Sequence, residues 1–367
     1  MIIIAVSRCS VNDGLLFLDL AVDKNRRRVY NDAMDPPVPP GPVYIMNRRL
    51  TMPASYVHQS VAQTTCDALS LFAEPTLRSA VLAGSEGPDP FFFSFFSLPG
   101  QPVAPKLGSI LHTQRTDDFM LALCDACKGS ALTRAYACGF IAHYGTDTTF
   151  HPFVYAHSLT AGGAYSGTLH CTLEHQLETL HYRRQGHSTG LPRQMGGFAA
   201  LDASARRQIA AALSGAISAV FPQYAMHTER VKRAFDDAVA LCDLLHSESG
   251  RRYSAFSAIA RPMRLDRALQ AHMMPKEPPH TDIANDAHEP WASIWAPDQV
   301  RRDSFDDLYQ KAVARCAELM RAAVGYMQGH TAYATLRALH GGNSYDSGLP
   351  WQTTCAAASA PGVKKQA

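Results

Sequence analysis

Apolar positions recur with a helical period along most of the chain after residue 52. One apolar stripe in residues 226–246 consists of Val231, Phe235, Val239, Cys242 and Leu245. A second stripe, in residues 304–327, consists of Leu308, Ala312, Cys316, Leu319, Ala323 and Met327. Ser304 followed by Asp307 provides the second segment with a cap. Alternating strand patterns are nearly absent, so we predict an all-α protein.

Proline and glycine divide the chain into four regions. Residues 1–51 contain the proline cluster PPVPPGP, which cannot lie inside a helix, and we expect a poorly ordered N-terminal extension. Residues 52–205 and 206–345 are predicted to be two helical regions, with an irregular connection and short helices between residues 247 and 303. Residues 346–367 are interpreted as a tail.

Composition narrows the classes of function. The 367 residues are 46% hydrophobic and carry a net charge of +2, from 34 basic and 32 acidic side chains. This balance provides no large cationic field, so we expect no stable nucleic-acid partner, whereas small phosphate compounds remain possible. Nine scattered cysteines argue against a disulfide framework, and Cys124 and Cys127 are predicted to be core thiols on a helix. Neither a signal peptide nor a membrane span is apparent, so we expect a cytoplasmic protein.

The segment FIAHYGTDTTFHPF, residues 140–153, contains candidate metal ligands. His143, Asp147 and His151 are each four residues apart, which places them on one face of a helix. Their neighbours are aromatic or small and apolar, and a buried aspartate needs a partner. Pro152 disfavours a helical conformation at His151, so we expect the helix to end there and the His151 imidazole to turn away from the stripe.

A second pair, His170 and Glu174, repeats the four-residue spacing in LHCTLEHQLE. Two helices of this kind can face one another in a bundle and enclose cations. Imidazole and carboxylate suit zinc, and iron and manganese also accept them. The alternative is two surface helices with ordinary His and acid pairs. Seven histidines between residues 143 and 187, against roughly two expected from the overall frequency, favour a metal site.

The order of motifs resembles the zinc-dependent phospholipase C family over residues 52–345. MPASYVH, with His58, is followed by GPDP, with Asp89, then by LH, with His112, and then by the two segments above. The stretches DIANDAHEPW, SFDDLYQKAV and NSYDSGL are similar to that family too. The resemblance implies a multi-helix bundle of the phospholipase C and P1 nuclease type, with additional C-terminal helices and residues 52–205 as the zinc-binding domain.

The resemblance also implies an arrangement of two or three zinc ions. Asp89, His112, His143 and Asp147 would hold one ion, and His151, His170 and Glu174 a second. His58 would join Asp147, as a bridge, at a third. A metal-bound hydroxide would attack phosphorus, with Asp89 as the catalytic residue that orients or deprotonates it, because zinc lowers the pKa of bound water towards about 7.

Related enzymes complete the third site with their N-terminal amine, whereas 51 residues precede Met52 here. One hypothesis is that translation begins at Met52 and that removal of this methionine frees an amine near His58.

The resulting functional hypothesis is a zinc-dependent phosphodiester hydrolase acting on a phospholipid or another small phosphodiester, with possible transient contact with a membrane surface. The alternatives are a P1-type nuclease, which requires aromatic stacking pockets, a phospholipase D-like enzyme, and a non-catalytic regulatory protein stabilised by metal. The phenylalanine-rich segment 91–96 could contact acyl chains, but a core position is favoured. His175 and His181 are expected to face solvent or to cap helices.

Overall fold

Helices dominate the computed structural model, which describes residues 55–96, 106–248, 251–261 and 271–359. The predicted extension, residues 1–51, lies outside the described residues. The helices are α1 Ser55–Leu69, α2 Pro75–Gly84, α3 Lys106–Thr113, α4 Thr116–Cys127, α5 Ala131–Ala156, α6 Gly167–Arg184, α7 Gly196–Ala200, α8 Ala203–Val220, α9 Thr228–Leu245, α10 Arg251–Ala260, α11 Phe305–Met327, α12 Tyr333–His340 and α13 Trp351–Ser359. Short 3₁₀ helices span Asp89–Phe96 and Pro222–Tyr224. The prediction of an all-α fold is confirmed.

Both amphipathic helices form where the apolar stripes predict them. Helix α9 buries four of its five predicted positions, and Val239 is partly buried. Helix α11 buries all six of its predicted positions. The side chain of Ser304 accepts a hydrogen bond from the backbone of Asp307, and the Asp307 side chain accepts one from the backbone of Ser304. This capping box fixes the start of α11, as the sequence predicts.

Helix α5 is the central element of the structure and is buried along most of its length. Small residues allow α2 to approach it closely. A Cβ atom at Gly84 would lie 2.0 Å from the backbone oxygen of Tyr136, and one at Gly139 would lie 2.0 Å from that of Val81. Glycine is therefore required at both contacts, because any larger side chain would push the helices apart. This close packing places the turn after α2 against the middle of α5.

Helix α8 joins the two helical regions predicted from the sequence. The predicted boundary at residues 205 and 206 falls inside this helix, which packs against α4 and α9. Helix α11 packs along both α5 and α1. The core of the described residues is therefore continuous from α1 to α11.

The connection between residues 247 and 303 contains one feature that the sequence did not predict. Strands β1 Trp291–Ser293 and β2 Ala296–Arg301 form an antiparallel hairpin in which Trp291 pairs with Arg301. Both strands are short, and β2 is largely exposed, so no alternating apolar pattern marks it. Among the described helices, none combines the length and apolar character that a bilayer-spanning segment requires.

The C-terminal segment is more ordered than a tail in the residues that the structure describes. Residues 351–359 form α13, and the hydroxyl groups of Ser347 and Thr354 lie 2.5 Å apart in a buried contact. The segment interpreted as a tail therefore includes a helix among its described residues.

Cys124 and Cys127 are fully buried on α4, which confirms the prediction of two core thiols on a helix. Burial raises the pKa of Cys127 to about 12 and that of Cys124 further above its usual range. Both side chains are therefore neutral thiols at physiological pH, and they act as small apolar groups in the core.

Candidate metal centre

All eight predicted ligand residues come together around α5. They are His58 on α1, Asp89 at the start of the 3₁₀ helix, His112 on α3, His143, Asp147 and His151 on α5, and His170 and Glu174 on α6. Seven of them are buried, and the side chain of His151 is 13% exposed. We refer to these eight residues as the candidate metal centre.

Helix α5 does not end at His151, which corrects one sequence-based expectation. The helix continues to Ala156 with Pro152 inside it, so His151 stays on the stripe that contains His143 and Asp147. Proline at position 152 removes one backbone hydrogen bond, to the carbonyl group of Thr148. Gly348 packs against this region, where an added Cβ atom would lie 2.5 Å from the Thr148 oxygen. The packing of Gly348 against α5 thus compensates for the preference of Pro152 to end the helix.

Asp147 lies at the middle of the candidate metal centre. One carboxylate oxygen, Oδ1, is 3.3 Å from Nε2 of His58 and 3.5 Å from Nε2 of His151. The other oxygen, Oδ2, is 3.0 Å from Nε2 of His143 and 3.6 Å from Nε2 of His112. A carboxylate that faces two pairs of imidazoles in this way has the geometry of a group that bridges metal ions.

Two further carboxylates, those of Asp89 and Glu174, lie on either side of Asp147. Asp89 Oδ1 is 3.1 Å from His112 Nε2, and Asp89 Oδ2 is 3.9 Å from His143 Nε2. On the other side, Glu174 Oε1 is 3.0 Å from His170 Nε2 and 3.3 Å from His151 Nε2. Three sets of potential ligand atoms therefore lie close enough to share an ion: His58, His143 and Asp147; Asp89, His112 and His143; and His151, His170 and Glu174.

Backbone carbonyl groups orient three of the imidazoles. Nδ1 of His112 lies 2.8 Å from the oxygen of Gly108, Nδ1 of His143 lies 3.0 Å from that of Ser85, and Nδ1 of His151 lies 3.1 Å from that of Tyr345. An Nδ1–H group that donates to a carbonyl oxygen leaves the lone pair on Nε2. This tautomer is the one that binds a metal through Nε2, and such outer hydrogen bonds hold the ring in place.

Unsatisfied atoms show that the protein alone does not complete the site. Nε2 of His143 and Oδ2 of Asp147 are buried and lack a hydrogen-bond partner, although they lie 3.0 Å apart. In the described part of the chain, no Lys or Arg lies within 4 Å of Asp89, Asp147 or Glu174. The five imidazoles and three carboxylates converge on shared positions. Donors of these two types match the ligand preferences of zinc. The donor set therefore fits the metal that the sequence predicts.

The metal centre also contains a small space. A cavity of about 30 Å³ opens among His58, Asp147, His151 and Glu174, and its remaining walls are mainly apolar. A space of this size accommodates a single small ion or water molecule.

The electrostatics of the protein alone favour protons at two of the imidazoles. Burial lowers the pKa of His143, but Asp147 and Asp89 outweigh burial and raise it to about 9. Burial is likewise outweighed at His151, where Asp147 and Glu174 raise the pKa to about 10. Burial lowers the pKa of His58 to about 4. Burial would raise the pKa of Asp147, but its imidazole neighbours, His143 first, hold it below its usual range. A metal ion must therefore displace protons from His143 and His151.

Two residues near the centre were not among the predicted ligands. Tyr345 is fully buried, its N–H group donates to the carbonyl oxygen of His112, and its own carbonyl oxygen accepts from His151. Asp346 places a carboxylate oxygen 4.0 Å from Nδ1 of His151. The signal that could have identified them is NSYDSGL, which resembles the family but contains no histidine and no four-residue spacing.

Two further expectations concern the exposure of His175 and His181 and the core position of the phenylalanine-rich segment 91–96. His175 and His181 are buried, so the expectation that they face solvent is wrong. His175 contacts Glu178, and Nε2 of His181 lies 2.9 Å from the hydroxyl of Ser60. Phe91 and Phe93 are buried, which confirms the core interpretation for these two residues.

Comparison with protein families agrees with the geometry. The model of the family described as zinc dependent phospholipase C matches residues 57–244, just over half of the chain. This segment contains all eight residues of the metal centre, whereas Tyr345 and Asp346 lie beyond it. No curated protein and no solved structure matches the chain. The family implies zinc binding and a phospholipid substrate in general, and the chain belongs to the zinc-dependent phospholipase C family.

Proposed function

We propose that the protein is a zinc-dependent phosphodiester hydrolase of the phospholipase C type, with two or three zinc ions in the metal centre. The observation that carries this proposal is the position of Asp147, whose two oxygens face four imidazoles. Ordinary surface pairs of His and acid residues would not converge in this way. A buried carboxylate with this surrounding is typical of sites that hold more than one cation.

The ligand groups suggest how the ions would be shared. Asp89, His112 and His143 would hold one ion, and His151, His170 and Glu174 another, with Asp147 between them. His58 would complete a third position together with Asp147. Zinc in such a site neutralises charge on phosphoryl oxygens and makes water nucleophilic near neutral pH.

The side chains of the protein would position the reacting groups. Asp89 is the proposed catalytic residue, which orients the attacking water and accepts its proton. Its Oδ1 atom lies 3.1 Å from His112 Nε2, so an ion held by both groups would fix the direction of the carboxylate. The backbone contacts at Gly108 and Ser85 hold His112 and His143 in place before substrate binds. Such preorganisation means that the site does not reorganise during the reaction.

The experiment that tests this function combines metal analysis with a substrate panel. We expect two or three zinc ions per chain by elemental analysis and hydrolysis of phosphatidylcholine or phosphatidylinositol vesicles. Release of diacylglycerol indicates cleavage of the C type, whereas release of phosphatidic acid indicates the D type. Zinc-loaded protein that cleaves single-stranded DNA but no lipid would establish the nuclease alternative instead. Zinc-loaded protein that cleaves nothing would favour the non-catalytic alternative.

A further inference from the structure

Exposed apolar side chains collect beside the metal centre. Leu159 is 37% exposed, Tyr165 39% and Ile294 39%. Leu159 and Tyr165 pair in the loop between α5 and α6, and Ile294 lies in the turn of the hairpin formed by β1 and β2. We call Leu159, Tyr165, Ile294 and the adjacent, partly buried Trp295 the apolar rim.

Aromatic contacts join the two parts of the apolar rim and connect it to the metal centre. The ring of Tyr155 stacks on Tyr165 with 4.9 Å between the centroids, and it meets Trp295 edge-on at 4.6 Å. The same ring lies 4.8 Å from the imidazole of His170. The loop and the hairpin turn therefore form one surface, and that surface is continuous with a predicted zinc ligand.

Neither segment of the apolar rim carries a charged residue. Residues 158–169, SLTAGGAYSGTL, and residues 290–297, PWASIWAP, contain no Asp, Glu, Lys or Arg. The guanidinium group of Arg301 lies 4.4 Å from the ring centre of Trp291, and it pairs with the carboxylate of Asp303. A surface whose own residues are uncharged suits an electrically neutral partner and gives an anionic partner no cation to bind.

We propose that the apolar rim docks on the surface of a zwitterionic lipid aggregate and so brings the metal centre to its substrate. The proposal rests on the proposed phospholipase function. Tyrosine and tryptophan have an apolar body with a polar end, which suits the boundary between lipid and water. Leu159 and Ile294 add apolar surface without any polar group. A nucleic acid or an acidic protein would require cationic side chains, and the two segments contain none.

The direct test is a double substitution in the apolar rim with a matched control. The variant L159S/I294S removes two exposed apolar side chains, and the variant L244S/V300S removes two that lie outside the rim, on α9 and at the end of β2 away from the hairpin turn, and are 54% and 68% exposed. Binding of the full zinc-loaded chain to phosphatidylcholine vesicles is measured by sedimentation. We expect L159S/I294S to bind on the order of 10- to 100-fold more weakly, because burial of each side chain contributes about a factor of ten. We expect L244S/V300S to bind as the unmodified chain does.

A second experiment tests the absence of charge in the apolar rim. Vesicles of phosphatidylglycerol replace the zwitterionic lipid, and we expect the unmodified chain to bind them no more tightly at low salt, because the rim offers no cation to the anionic headgroups. The proposal is overturned if the unmodified chain binds neither kind of vesicle, if it prefers the anionic lipid, or if both double variants lose binding equally. A change of oligomeric state in L159S/I294S, seen by size-exclusion chromatography with light scattering, would assign the rim to a second copy of the chain and overturn the proposal too.

A water-soluble nitrophenyl phosphodiester separates this inference from the proposed function. We expect L159S/I294S to hydrolyse this substrate with unchanged kcat/KM but to show a raised apparent KM on vesicles. Equal losses on both substrates would show that the rim residues support the fold and not docking. Vesicle binding does not require turnover, so a chain that binds lipid through the rim but hydrolyses nothing would contradict the proposed function and leave the docking surface established.

Discussion

Helix α6 carries two buried pairs of histidine and glutamate that differ in their surroundings. In the first pair, Glu174 Oε1 lies 3.0 Å from Nε2 of His170 and 3.3 Å from Nε2 of His151. In the second pair, Nδ1 of His175 lies 3.0 Å from Glu178, which also accepts hydrogen bonds from the backbone N–H group of Tyr56 and from the Gln194 side chain. The two pairs have the same residue types on the same helix.

The difference lies in what satisfies each carboxylate. Glu178 receives N–H donors from three parts of the chain and ties α6 to the start of α1, so it is complete as a structural group. Glu174 faces two imidazoles, and one of them, that of His151, also approaches Asp147, so several groups compete for protons that a metal ion would replace. A buried acid next to a histidine therefore indicates a metal site only when its other neighbours are ligands as well.

The largest expected difference in zinc content and activity is between a substitution of Glu174 and the same substitution of Glu178. Glu174→Gln should lose zinc and reduce kcat/KM by about 100- to 1000-fold, because metal stabilisation of the transition state is worth several kcal/mol. Glu178→Gln should keep its zinc and most of its activity, but it should lose about 1–3 kcal/mol of stability, because an NH2 donor replaces one of the two oxygens that accept from buried N–H groups. Elemental analysis, kinetics and urea unfolding of both variants provide the measurements. Equal zinc loss in both variants would remove the distinction between the pairs.

Removal of zinc should affect the first pair far more than the second. Binding to the folded state alone stabilises by about 4 kcal/mol when free zinc exceeds the dissociation constant 1000-fold. We expect a chelator to lower the melting temperature and to increase amide exchange in α5 around Asp147, while the second half of α6 around Glu178 stays protected. Addition of zinc should reverse the change. An unchanged melting temperature after complete removal would argue against a metal centre.

Substitution of Gly87, which lies beside the candidate metal centre, should have a smaller effect, and Gly186 provides a control. Gly87 has a φ of +53°, and an added Cβ atom would lie 2.3 Å from the His143 ring. Gly186 has a φ of +90° and no atom within 4 Å of such a position. Both alanine variants carry the cost of a left-handed backbone, about 1 kcal/mol. Only Gly87→Ala should displace His143, so we expect weaker zinc binding by competition with a chelator for this variant alone.

The pH dependence should differ between metal-free and zinc-loaded protein. In the metal-free chain the pKa values of His143 and His151 are raised to about 9 and about 10. Their protonation therefore stabilises the fold fully below the unfolded pKa of about 6.5, and this contribution is lost as the pH rises through 9 and 10. Zinc-loaded protein, freed of excess metal, should not show this decline, because its imidazoles carry no proton to lose at Nε2. Thermal melts followed by circular dichroism from pH 6 to pH 10 provide the comparison, and parallel curves would contradict it.

Five of the eight residues of the candidate metal centre could be predicted from local spacing, whereas His58, Asp89 and His112 were predicted through the family resemblance. His143, Asp147 and His151 are four residues apart, as are His170 and Glu174, and the structure places all five together. The prediction from local sequence was wrong at His151, because α5 does not end before Pro152. The contact with Gly348, almost 200 residues further along the chain, lies outside what a local pattern can indicate.

The assignment of structural and ligand acids could not be made from spacing. Glu178 and His175 look as much like candidate ligands as their neighbours do, and only the donors from Tyr56 and Gln194 show that this acid is already satisfied. The hairpin at Trp291 was likewise missed, because its short, exposed strands lack an apolar alternation.

The sequence by itself determined the helical class, the two amphipathic helices and the capping of α11, and its four-residue spacing predicted five residues of the candidate metal centre. These properties depend on side chains within one or two turns of a helix, where geometry is fixed by the backbone. Only the tertiary structure decided that α5 continues through Pro152, that Asp147 lies among four imidazoles, and that Tyr345 and the apolar rim adjoin the centre. Each of these depends on contacts between segments far apart in the chain, whose distances are set by packing of the whole core and not by any local pattern.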